Sequence, residues 1–92
     1  RLHYAYPTAT TDGILDRIVG HAKIANYLDV PFQHVDSDVL KKMRRGYGEK
    51  QIRDLVERIH ARSTGDRRIW LRTTLLVGHP GETEDAFSRL LD

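Results

Sequence analysis

The chain has 92 residues, of which 30% are charged and 39% hydrophobic, and carries a formal net charge of +2. That length supports one small core and excludes a complete barrel enzyme; the balance of charged and apolar residues excludes a disordered chain, and no apolar run is long enough to span a bilayer. With no cysteine, disulfides and thiolate-held metals are excluded within these residues.

Leu2 to Tyr6 is β-like, and Pro7 closes it because proline cannot donate to a ladder. A helix is predicted over 12–22, where Ile14, Leu15, Ile18, Val19 and Ala22 recur at helical spacing and Thr11 or Asp12 can cap the first amides. A second strand is predicted over 27–32, with Pro31 marking an edge or a position whose amide needs no partner. Val35, Val39, Leu40 and Met43 define one side of a short helix over 37–44, capped by Asp36 or Ser37 and stopped by the Gly46-Tyr47-Gly48 turn. Ile52, Leu55, Val56 and Ile59 form the clearest stripe, a helix over 49–61 with Glu49/Arg53 and Asp54/Arg58 paired on its wet side. After a polar connector, Ile69 to Val77 is nearly apolar on both faces, as in a buried parallel strand, and Gly78 to Glu82 is a tight loop. Thr83 then caps a helix over 83–92 whose buried side is Ala86, Phe87, Leu90 and Leu91.

This order predicts an α/β fold of three consecutive βα units with parallel strands. A complete eight-stranded barrel needs about 250 residues, so three strands are part of such an architecture. Strand alternation places Arg72, Thr74, Leu76 and Gly78 on one face and Thr73, Leu75 and Val77 on the helix-covered one. Asp29, Pro31 and Gln33 share the first face, so Asp29 and Arg72 are expected to meet, a carboxylate and a guanidinium that are costly to bury singly. Gln33 offers both donor and acceptor groups of the kind that fix ribose hydroxyls. Gly78 and Gly81 allow backbone to approach a planar ligand, and Leu76 supplies apolar surface.

Other chemistries fit less well. No lysine follows the glycines as in a nucleoside-triphosphate loop. His3, His21, His34, His60 and His79 lack metal-site spacing or a neighbouring nucleophile, and only His34 is kept as a candidate, because it immediately follows Gln33 at the mouth of the expected site. Lys41, Lys42, Arg44 and Arg45 form a basic cluster that can serve a non-catalytic RNA- or protein-binding module, against the plainer reading of a solvated helix face.

The run Tyr27-Leu28-Asp29-Val30-Pro31-Phe32-Gln33-His34, the run Val39 to Gly46, and the opening Leu2-His3-Tyr4-Ala5-Tyr6-Pro7 resemble the radical S-adenosylmethionine (SAM) methylthiotransferase family, most closely its RimO type. The related transfer-RNA branch, the MiaB type, has serine after the glutamine and lacks the tyrosine-proline strand end. The resemblance implies that residues 1–92 are the middle portion of the radical SAM domain, a partial TIM-like barrel whose third, fourth and fifth strands are present. It implies SAM contacts at Gln33, Arg72, Thr74, Leu76, Gly78 and Glu82, although Thr74 replaces a glycine of the general pattern and Glu82 lies one residue late, which makes capping or loop bracing an equal role for it. His79 stands where the family has phenylalanine.

The implied cofactors are SAM and two 4Fe-4S clusters. One cluster reduces SAM to a radical that removes hydrogen from an aspartate β-carbon of a small-subunit ribosomal protein, and the other delivers the methylthio sulfur. The cluster cysteines are absent from these residues, so the segment alone is expected to be inactive. Sulfur and electron donors are implied partners. With no membrane segment or leader evident, a cytoplasmic location is expected, and the open sheet edges of the isolated segment are expected to drive self-association.

Overall fold

A computed structural model describes residues 1–92. After a 3-10 turn at Pro7–Ala9, the elements are α1 (Asp12–Gly20), β1 (Tyr27–Asp29), α2 (Ser37–Lys42), α3 (Glu49–Arg62), β2 (Trp70–Arg72) and α4 (Glu84–Leu91). The architecture is α/β, with a two-stranded parallel sheet in which Leu28 pairs with Leu71. The helix boundaries follow local chemistry. Thr11 accepts the Ile14 amide, Asp36 accepts those of Asp38 and Val39, and Thr83 accepts that of Ala86. Gly48 has no side chain to cap α3, so Gln51 reaches back to its amide and Ser37 accepts the next one, from Glu49.

Residues 2–6 do not form the expected full strand. Tyr4 sits at φ 54°, outside the extended region, and the segment joins the sheet through one parallel bridge, Leu2 to Leu28. The Asp29 amide donates to the Leu2 carbonyl and the Val30 amide to the Arg72 carbonyl. Successive amides of a strand point to opposite sides, so β1 lies between the N-terminal segment and β2.

The pairing beyond the short strands is also interrupted. Between the Asp29–Arg72 and Gln33–Leu75 partners the first chain takes four residue steps and the second three, which is a one-residue bulge. Pro31 accounts for its position, because it has no N–H to offer the ladder. Thr73, assigned by alternation only to a packing role, repairs the gap: its hydroxyl accepts the Phe32 amide at 3.1 Å.

The core joins α1 (Leu15, Ile18), the first strand and its extension (Leu28, Val30, Phe32), α2 (Leu40), α3 (Ile52, Leu55, Ile59), Tyr47 and Ile69. Leu15, Leu28, Leu40 and Leu55 are fully buried, and each contributes about 1.5–3 kcal/mol by leaving water. Arg58 and Arg62 of α3 bind Asp12 and Asp16 of α1 at 2.7–3.2 Å. Such partly exposed pairs are worth about 0–1 kcal/mol each and mainly orient the two helices.

The expectation that the third predicted strand, Ile69 to Val77, is buried on both faces fails, and only Trp70–Arg72 of it forms a strand. Ile69 is buried, but Trp70 is 65% exposed, and Leu71, Leu75, Leu76 and Val77 are also exposed. β2 is the outer strand of the sheet, with only β1 paired to it. On α4 only Ala86 is fully buried, and Leu91, expected on the inner side, is 72% exposed.

Candidate functional site

The two strand extensions end side by side, and the bulge sets their geometry. Tyr47 donates its hydroxyl hydrogen to the Phe32 carbonyl at 2.9 Å and accepts from Arg45 Nε at 3.1 Å. The Arg45 guanidinium also lies over the Tyr6 ring, 5.3 Å from its centroid, and its Nη2 reaches the Pro31 carbonyl at 3.4 Å. This stack fixes the chain just before Gln33. It also commits one of the four cations of the basic cluster to internal packing.

Gln33 lies at φ 70°, a left-handed conformation costing a non-glycine residue about 1–2 kcal/mol. Two main-chain bonds hold it there: its amide donates to the Thr74 carbonyl at 2.9 Å, and its carbonyl accepts the Leu76 amide at 2.7 Å. The half-buried Gln33, the exposed Thr74 and the exposed Leu76 are thereby brought to one edge. Gly78 follows at φ 78°, with nothing within 4 Å of where a Cβ would stand.

Glu82 braces this loop. Its Oε1 accepts the Gly78 amide at 2.9 Å and its Oε2 accepts from His34 Nε2 at 2.6 Å. The His34 side chain is fully buried, and its Nδ1 accepts the Asp36 amide at 3.0 Å, so the proton resides on Nε2. Asp36 in turn caps α2 through Oδ1 and binds Arg89 of α4 through Oδ2. The sequence alone locates Asp36 by its distance from Val39, but His34 and Glu82 are 48 positions apart and nothing in their spacing pairs them.

Arg72 lies near Asp29 without hydrogen bonding to it; Nη1 and Oδ2 are 3.9 Å apart, and the Arg72 side chain is 63% exposed. The Tyr27 hydroxyl, and then Asp29, hold the Arg72 guanidinium above its ordinary pKa. Asp29 is buried with Oδ1 unpartnered, the kind of unsatisfied group that awaits a donor. Two cavities lie away from Gln33, Leu76 and Gly78. One of about 330 Å³ lies between α3 and α4, lined by Phe32, Ile52, Val56, Leu75 and Leu90, and one of about 730 Å³ lies at the far end of the strands, beside Tyr27 and Trp70. Gln33, Leu76 and Gly78 thus form an open wall.

Asp36 and Glu82 have depressed pKa values. Amide donation from Val39 is the main cause for Asp36, supported by Arg89; the Gly78 amide and then His34 are the causes for Glu82. Groups whose folded pKa is lowered stabilise the fold above their ordinary values of 3.8 and 4.5, and that stability is lost as pH falls through the lower folded values. Asp36→Asn is therefore expected to reduce the steepness of acid unfolding below about pH 4 in a circular-dichroism titration.

Comparison with known proteins places the chain. The profile of the Radical SAM superfamily matches residues 4–92. The chain belongs to the radical SAM superfamily. Within that class it is similar to the ribosomal protein uS12 methylthiotransferases RimO of Geobacter sulfurreducens (47% identity over 91 residues), Natranaerobius thermophilus (44% over 91 residues) and Campylobacter fetus subsp. fetus (38% over 92 residues). These alignments cover 99–100% of the chain but about 20% of each relative. The chain therefore spans about a fifth of the length of these curated relatives.

The residues present fit one of the class's cofactors better than the other. An open glycine at positive φ, an exposed leucine beside it and a strand-end amide side chain suit an adenosyl group. No three histidine, aspartate, glutamate or cysteine side chains are grouped so that they could hold a metal ion, and the chain has no thiolate, so these residues do not provide an iron-sulfur site.

Proposed function

We propose that this chain forms the SAM-facing wall of a radical SAM methylthiotransferase that modifies an aspartate of ribosomal protein uS12. The observation that carries the reading is the joined strand edge, where the Gln33 carbonyl holds the Leu76 amide at 2.7 Å and Gly78 opens immediately beyond. The surrounding fold is then the middle portion of the radical SAM domain and one sector of a partial barrel, with the exposed apolar face of β2 covered by neighbouring strands and helices of the same domain.

In this reading Gln33 anchors the ribose, Leu76 and Gly78 receive the adenine face, Thr74 and Arg72 line the approach, and Glu82 shapes the loop. SAM bound there supplies the hydrogen-abstracting radical, and two 4Fe-4S clusters held by cysteines elsewhere in the longer protein supply electrons and sulfur, with reductant and sulfur donors as further partners. The chain's own residues orient the cofactor. A cytoplasmic location accompanies a ribosomal substrate; no helix here is long and apolar enough to cross a membrane.

The longer coding sequence should carry a CxxxCxxC motif upstream of Arg1, and its absence would sink the reading. Reconstituted full-length protein, incubated with SAM, reductant and uS12, is expected to yield methylthiolated aspartate by mass spectrometry. Modification of transfer RNA instead would assign the chain to the other branch. Salt-sensitive RNA binding abolished by Lys41→Ala with Arg44→Ala, and no methylthiolation, would favour the binding-module reading. The isolated 92-residue segment is expected to self-associate in sedimentation through the open edge of β2. A strictly monomeric, cooperatively unfolding species would contradict that expectation.

A further inference from the structure

We propose that His34 is a positioning residue for the cofactor loop, acting through Glu82 to hold the Gly78 amide and with it the Gly78–Gly81 turn. The inference rests on the SAM-wall reading above but concerns side chains that make no contact with the cofactor in it. Both Glu82 oxygens are occupied, one by the Gly78 amide and one by His34, which leaves the carboxylate to act as a bridge. His34 can serve that bridge in only one tautomer. The Asp36 amide donates to Nδ1, so Nε2 must carry hydrogen and must donate to Glu82.

The consequence is a hydrogen-bond chain that joins the α2 cap through a buried ring to the glycine loop, with the His34 and Gly78 N–H groups both donating to the Glu82 carboxylate. Gly78 and Gly81 occupy positive φ (78° and 92°), conformations that glycine permits but does not enforce. A loop of two such residues needs an external tie to keep one shape, and Glu82 supplies it from the residue just before the Thr83 cap of α4. Arg89, from the next turn of α4, binds Asp36, so both ends of the tie are fixed to the same pair of helices.

The test uses full-length protein and two readouts: hydrogen exchange of the 78–82 amides, and SAM affinity by equilibrium dialysis. His34→Phe keeps a ring but removes the donor. It is expected to accelerate exchange selectively at 78–82 and weaken SAM binding roughly tenfold. Glu82→Gln is the second variant and leaves more of the packing intact. Its amide can satisfy the Gly78 donor or the His34 donor but not both, so the same local acceleration is expected. His34→Gln, which retains an N–H toward Glu82, is expected to recover part of the affinity.

Exchange accelerated uniformly across the chain would reduce His34 to a core-packing residue, and unchanged SAM affinity in folded His34→Phe and Glu82→Gln would overturn the positioning role. Wild-type protein that fails to bind SAM would overturn the wall reading instead. The exchange measurement needs no ligand, so it still decides whether His34 orders the loop.

Discussion

Gly78→Val in the full-length protein is expected to weaken SAM binding roughly ten- to hundredfold while leaving the protein folded. Space is not the obstacle, because nothing lies within 4 Å of a Cβ at this position. The obstacle is φ 78°, which a β-branched side chain resists at a cost of about 1–3 kcal/mol. The loop relieves that strain by moving away from the strand edge, and the lost free energy appears as lost affinity. Gly65→Val provides the control, since Gly65 also has positive φ (56°) and open surroundings but lies in the α3–β2 connector. It is expected to leave SAM affinity unchanged. Equal affinities for wild-type and Gly78→Val proteins would remove Gly78 from the site.

The second large effect concerns stability. Leu28→Ala is expected to destabilise the fold by about 2–5 kcal/mol, because Leu28 is fully buried at the centre of β1 and its removal leaves a cavity among residues from α1 and α3. The measurement is the thermal midpoint by circular dichroism. Leu91→Ala, at a residue 72% exposed, is expected to change stability by less than about 0.5 kcal/mol. A loss at Leu91 as large as that at Leu28 would show that a further segment covers α4.

These effects differ in how far the sequence foretells them. The Ile52, Leu55 and Ile59 stripe of α3 is legible because one helical period decides which side is buried. The Asp36 and Thr83 caps are legible because capping is local. The exposure of Trp70 and of Leu75 to Val77 is not, because apolar composition records what a strand can bury, and the sheet order determines what actually covers it. The failed strand at 2–6 turns on one dihedral angle at Tyr4, which β propensity does not encode.

At the site, sequence alternation places Gln33, Arg72, Thr74, Leu76 and Gly78 near one edge but misses what holds them there. The bulge shifts register by one residue, Thr73 becomes a backbone partner, and Gln33 leaves the extended conformation. The His34–Glu82 bridge depends on that shifted register and on a turn 48 residues away, so no local pattern reveals it. Arg45 carries the same lesson for charge. It reads as one of four clustered cations, yet it is stacked over Tyr6 and Tyr47 and hydrogen-bonded to the Pro31 carbonyl.

The most direct measurement of the central claim is a structure of the full-length protein bound to SAM. The expected result places the ribose against the Gln33 side chain and the adenine over Leu76 and Gly78, with Glu82 still joined to His34. SAM bound at another face, with Gln33, Leu76 and Gly78 untouched, would contradict the account.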